Sequence, residues 1–256
     1  MNKKKAFTLM ELLIAMLIFA LISVMLIPNV TKNAEKNLFE TQLKKIQNDV
    51  QQAFLWIMSE NQGSMKTVCI NAANPNECLR NLIAQGKLET VVSYDFNAID
   101  NNNPNPLKNS KTQADAYVAR DVLFLNNNSV ALTQDVHNNF YAVNLKNGAT
   151  LSAIFDNQCN QPASTFVSGA GPTLVCGYIE IDVNGGKVPN VVGKDVHYFW
   201  IIDRDGIVPF GDVDAFTCGA VDVNGNITTL PENSNTLSEQ FGCTARIINR
   251  GKIDFY

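Results

Sequence analysis

"KKKAFTLMELLIAMLIFALISVMLIPN", residues 3–29, decides how the rest of the chain is read. Three lysines lead into an apolar run, Phe7 to Ile27, that holds a single charged side chain, Glu11. As a helix rising about 1.5 Å per residue, that run just crosses a bilayer core of about 30 Å. The lysines place the extreme amino terminus on the cytoplasmic side. A cleaved secretory signal has a shorter apolar region that ends in an A-x-A-like site. "FALIS" at 19–23 matches that site poorly, so the segment is expected to stay with the protein. Glu11 then needs a reason, because a carboxylate at the centre of a membrane helix costs about 2.5–3.5 kcal/mol, and less near an end. A cut before Phe7 would create an α-amino group four residues away, on the same helix face. In a staggered bundle the amine of one copy could neutralise the Glu11 of its neighbour.

The stretch "KKKAFTLMELLIAMLIFALIS" resembles the prepilin signal of type IV pilins and type II secretion pseudopilins. The matching residues are the basic leader Lys3 to Lys5, the small Ala6 before the cut, and Phe7, Thr8, Leu9 and Glu11 opening the helix. Pro28 falls where many members carry a helix-kinking proline. The family usually has glycine where this chain has Ala6, and the likeness covers about the first 30 residues. It implies removal of the leader by prepilin peptidase, with cleavage and methylation at Ala6 and Phe7. It also implies a single pass of the inner (cytoplasmic) membrane and an extracytoplasmic carboxy-terminal domain. An inner-membrane assembly platform would then draw the chain into a pilus or pseudopilus with other pilin or pseudopilin subunits. Glu11 and Pro28 are the residues expected to serve that assembly.

Downstream, Val30, Ala34, Leu38, Leu43, Ile46, Val50, Phe54 and Ile57 or Met58 recur every three to five residues, a helical period. "ENQG" at 60–63 supplies a terminator with Gly63 just past the helix end. One helix is therefore expected from about residue 8 to 62, bent rather than ended by Pro28. "NECLRNLIAQGKL" (76–88) suggests a short second helix. "FNAIDNNNPNPLKNSK" (96–111) is a polar loop. From about 117 the reading is strand and turn. "DVLFLNNNSVAL", "FYAVNLKNGATLSAIFD", "VHYFWIIDRDGIVPF" and "AVDVNGNITTL" each place a turn between apolar runs. The expected fold is α+β and pilin-like: a long N-terminal helix, transmembrane then amphipathic, packed on one face of a mainly antiparallel sheet. The segments are a leader (1–6), a transmembrane or filament-core helix (7–28), an amphipathic helix (29–62) and a β-rich domain (63–256).

The net charge of −4 and a pI near 5.2 give no electrostatic footprint for nucleic acid. Loss of the leader lysines takes the charge to −7. The six cysteines, Cys69, Cys78, Cys159, Cys176, Cys218 and Cys243, all follow the apolar segment, and none forms a C-x2-C pair. Export favours disulfides. Connectivity is open at this level, and pairing in chain order is the simplest case. The family resemblance adds that Cys218 and Cys243 look like the bridge bounding a pilin's carboxy-terminal loop.

"DVNGGKVPNVVGKD" (182–195) is the most suggestive polar stretch. Asp182, Asn184, Asn190 and Asp195 offer hard oxygen ligands to Ca²⁺ around a glycine-permitted turn. Against this, Gly186 occupies the place of a third oxygen side chain. The structural alternative is a tight connection whose Asp and Asn bond their own backbone. "DRDGIVPFGDVD" (203–214) clusters four further aspartates. His137 and His197, the only histidines, adjoin aromatic strand-like runs, and no H-E-x-x-H, G-x-S-x-G or phosphate loop occurs. No catalytic residue is assigned and no enzyme is expected. The functional expectation is a minor pilin or minor pseudopilin. The alternative is a monomeric, uncleaved, membrane-anchored binding module that uses its acidic loops to hold calcium or a ligand.

Overall fold

The computed structural model describes residues 9–85, 88, 90–95, 141–185, 190–218 and 241–253. Two compact units divide the chain, Met1–Leu38 and Phe39–Tyr256. Helix α1 (Leu9–Glu60) supplies the first unit's helix and continues through the start of the second. The helical assignment runs through Pro28 without a break. At its end Gln62 and Gly63 take left-handed φ of 60° and 76°, and the Gly63 N–H returns to the Met58 carbonyl at 2.7 Å. "ENQG" therefore ends the helix as its glycine suggests. After a 3-10 turn (Met65–Thr67) comes α2 (Pro75–Gln85). Asn74 caps α2, its side-chain oxygen accepting the N–H groups of Asn76 and Glu77.

Among the described residues eight strands follow: β1 (Thr90–Asp95), β2 (Tyr141–Leu145), β3 (Thr150–Phe155), β4 (Gln161–Pro162), β5 (Leu174–Val175), β6 (Gly177–Asp182), β7 (Val196–Ile202) and β8 (Gly206–Pro209). Two short helices complete the described elements, α3 (Ala163–Phe166) and α4 (Cys243–Arg250). Six strands form one sheet in the order β1-β2-β3-β6-β7-β8, every pair antiparallel. The hairpins read at 140–156 and 196–210 are its β2–β3 and β7–β8 pairs. Those read at 121–132 and 220–230, and the loop at 96–111, lie outside the described residues.

Each face of the sheet has its own core. On the first, Phe39, Leu43, Ile46, Val50, Ala53, Phe54 and Ile57 of α1 pack with Leu151, Ile179, Ile181, Phe199 and Ile201. This buried stripe differs from the one read in sequence at its start. Ala34 and Leu38 are exposed, Leu38 by 55%, and the seam begins at Phe39. A spacing of three to five tolerates either residue 38 or 39. Only 39, four residues before Leu43 and seven before Ile46, lies on the stripe that meets the sheet. The second face is covered as well, which the sequence did not suggest. Ile154, Tyr178, Tyr198 and Trp200 pack there with Phe166, Phe210, Phe216 and Phe241. Phe210 is the hub, stacked on Trp200 at 4.0 Å between centroids and within 6.0 Å of Tyr178, Tyr198, Phe216 and Phe241. Gly177 lets β6 approach β3: at φ +132°, a Cβ there would lie 2.0 Å from the Ile154 carbonyl oxygen.

Candidate functional site

Ala6 and Phe7 lie outside the described residues, as does His137. Glu11 occupies the first turn of α1, where a carboxylate complements the positive end of the helix dipole. The residues around it are apolar on every side of the helix. Leu9, Met10, Leu12, Leu13, Ile14, Met16, Leu17, Ile18, Phe19, Leu21 and Ile22 are all at least half exposed. An all-round apolar helix belongs inside a larger apolar body rather than on a protein surface. Among the described residues no helix is long and apolar enough to cross a membrane. The apolar side chains described, Leu9 to Ile22, span about 21 Å at 1.5 Å per residue.

The six cysteines pair in chain order: Cys69–Cys78, Cys159–Cys176 and Cys218–Cys243. Each bridge ties a loop to a structural element. Cys69–Cys78 joins the post-α1 turn to α2, Cys159–Cys176 closes the loop between β3 and β6, and Cys218–Cys243 anchors the start of α4. The helix α4 is absent from the sequence reading, since its eight residues carry just over two turns of period.

The residues singled out in 182–195 come together where β6 ends and β7 begins. Register pairs Asp182 with Val196, and the Val183 N–H donates to the Asp195 carbonyl at 2.8 Å. Both acids are thus fixed at one end of the ladder. The Asp182 Oδ1 accepts the N–H groups of Asn184 (3.1 Å) and Gly185 (2.9 Å). The Asn184 side-chain amide donates to Asp195 Oδ2 at 3.0 Å, and the Val191 N–H donates to Asp195 Oδ1 at 2.6 Å. Asp182, Asn190 and Asp195 are each 1% exposed. Gly185, at φ +59°, sets this loop against the β2–β3 turn, where a Cβ would lie 2.2 Å from the Gly148 carbonyl oxygen. The turn whose Asp and Asn bond their own backbone is therefore present. Burial, reinforced by the neighbouring Asp195 charge, pushes the Asp182 carboxyl up to about 8, and burial raises Asp195 too.

Glu180, which no turn or motif signal marks, extends this acidic line. Side chains at 178, 180 and 182 share one face of β6 by strand alternation, so "YIEID" puts two acids on that face. Glu180 is buried, accepts the Tyr198 hydroxyl at 2.8 Å, and is pushed by burial up to about 7.

The aspartates of 203–214 do not converge. Asp203 accepts the Ser64 hydroxyl and the Lys66 N–H, and Asp212 accepts the Asn249 amide. Asp214 accepts the Trp200 indole N–H together with the N–H groups of Gly211 and Phe216. Asp205 offers its backbone carbonyl to Gln51. These acids stitch turns to α1 and to the aromatic core. His197 is fully buried in β7 beside Ile181. Among the described residues no three His, Cys, Asp or Glu side chains are grouped to hold a metal ion.

Residues 1–27 match the family model for the prokaryotic N-terminal methylation motif, the prepilin-type signal of type IV pilins and pseudopilins. The match covers the amino-terminal segment alone, and the helix followed by an antiparallel sheet is pilin-like. No curated protein and no solved structure matches the chain.

Proposed function

We propose that this chain, carrying a prepilin-type signal, is a minor pilin or minor pseudopilin of a type IV pilus or type II secretion-like filament. The observation that carries the reading is the amino-terminal helix. It bears a processing motif and is apolar and exposed all round from Leu9 to Ile22, a surface that calls for lipid before assembly and for neighbouring helices after it. Prepilin peptidase cuts between Ala6 and Phe7, and the segment 7–28 anchors the precursor in the inner membrane. The assembly platform then transfers the mature chain into the filament. Glu11 reaches the Phe7 amine of an adjoining subunit, which sets the axial register and lowers the desolvation cost of both charges. The large domain after residue 62 supports a minor rather than a major subunit.

Co-expression with a prepilin peptidase, followed by intact-mass analysis, tests the first step. Loss of residues 1–6 with one added methyl group is the expected product, and retention of Met1 would refute the reading in favour of an uncleaved anchored module. Glu11→Ala should still be processed yet fail to enter sheared filaments. Normal assembly of that variant would remove the pairing mechanism while leaving the processing step intact.

A further inference from the structure

We propose that Asp182 and Asn184, at the exit of β6, and Asn190 and Asp195, just before β7, form a calcium site of two carboxylates and two side-chain amides. Two oxygens carry the inference. Asp182 is 1% exposed; its Oδ1 takes two backbone N–H groups, while its Oδ2 is buried with no hydrogen-bond partner among the described residues. Asn184 donates its amide nitrogen to Asp195, which leaves Oδ1 buried and equally without a partner. A buried oxygen acceptor with nothing to accept is costly, most of all in a charged group. None of the ion pairs among the described residues involves Asp182 or Asp195. A divalent cation satisfies both orphaned oxygens and both negative charges together, whereas a proton on one carboxyl removes a charge and leaves an oxygen unserved.

The donor chemistry selects the ion. Every ligand atom is a hard oxygen, and no imidazole or thiolate joins the set, which disfavours zinc and copper. Calcium accepts six to eight oxygens in flexible geometry and completes its shell with water and carbonyls. Magnesium demands a tight octahedron that two carboxylates and two amides on a strand-to-strand loop do not build. The frame is already fixed by the Val183–Asp195 ladder bond and by Gly185 against the Gly148 carbonyl. The ion would clamp the exit of β6 to the entry of β7. The site lies in the β-rich unit, so its failure leaves the processing and assembly reading untouched.

The test is calorimetric titration of the full-length protein in detergent with CaCl₂, paired with thermal unfolding in CaCl₂ and in EGTA. One ion should bind per chain and raise Tm by several degrees. Asp182→Asn retains an oxygen for the two turn N–H groups but removes the buried charge. It should lose at least tenfold in calcium affinity and the calcium-dependent rise in Tm, yet match or exceed wild type in EGTA. Asn184→Ala, at a more exposed position, should weaken binding in the same sense if Asp182→Asn folds poorly. Absence of a binding heat and Tm shift in the wild type overturns the proposal, and so does wild-type affinity in either variant. An equal response to magnesium at the same concentration overturns the choice of ion.

Discussion

His197 gives the sharpest quantitative prediction. Its ring is fully buried, and neither nitrogen has a hydrogen-bond partner of ordinary geometry among the described residues. Burial lowers its pKa from 6.5 to about 3, against a weaker upward pull from the Lys194 backbone. The depressed folded value means that the unfolded chain binds the proton more readily, so this residue's contribution to stability is lost as pH falls below 6.5. Linkage gives a penalty of about 0.2 kcal/mol at pH 7 and about 2 kcal/mol at pH 5. Glu180 and Asp182 act oppositely: their raised values favour the folded state as pH falls through about 7 and 8. Both acids face the second core, across the sheet from His197, so a variant comparison subtracts them. His197→Leu fills the same space without a titrating group. Urea unfolding, followed by fluorescence of the buried Trp200, should show the variant gaining on wild type between pH 7 and pH 5. The gain is about 2 kcal/mol, or roughly 1 M in midpoint for a slope near 2 kcal/mol/M. Any constant packing offset cancels in that difference. Midpoints of the two proteins that shift in parallel between the two pH values would refute the argument, because the buried ring would then not be resisting protonation.

The packing makes further predictions. Leu43→Ala should destabilise the domain by about 2–5 kcal/mol, while Leu38→Ala, on the exposed side of the same helix, should change it by less than about 0.5 kcal/mol. Equal effects in chemical denaturation would show that the helix meets the sheet along the other stripe. Phe210→Ala removes the hub of the second core and should cost about 3–5 kcal/mol, with near-UV circular dichroism lost before far-UV signal. Gly177→Ala forces a Cβ into the Ile154 carbonyl at a φ that L-residues avoid. It should cost at least about 3 kcal/mol, seen as loss of soluble, fully oxidised protein, and a stable variant would contradict the β3–β6 approach.

The signal motif, the long helix, its glycine terminator and two hairpins were legible because each is written within a few residues. A 3.6-residue period, a glycine able to take positive φ, and apolar runs flanking a turn are local properties, and tertiary packing had only to accept them. The self-bonded turn of Asp182, Asn184 and Asp195 was also legible as one of two readings, since Asp and Asn beside glycine mark such turns. Their sequence could not say that two of the side-chain oxygens are buried without partners. That follows from β6–β7 register and from the close approach of the Gly148 carbonyl, both long-range.

By itself, then, the chain order determined an apolar helix bearing a prepilin-type signal and leading into an α+β domain with antiparallel pairing. Tertiary structure alone decided that the seam starts at Phe39 rather than Leu38, and that Phe210, Phe216 and Phe241 close a second core. It also decided that Glu180 and Asp182 lie buried on one face. The physical reason is that period fixes which residues share a face, whereas burial depends on what distant chain arrives to cover it.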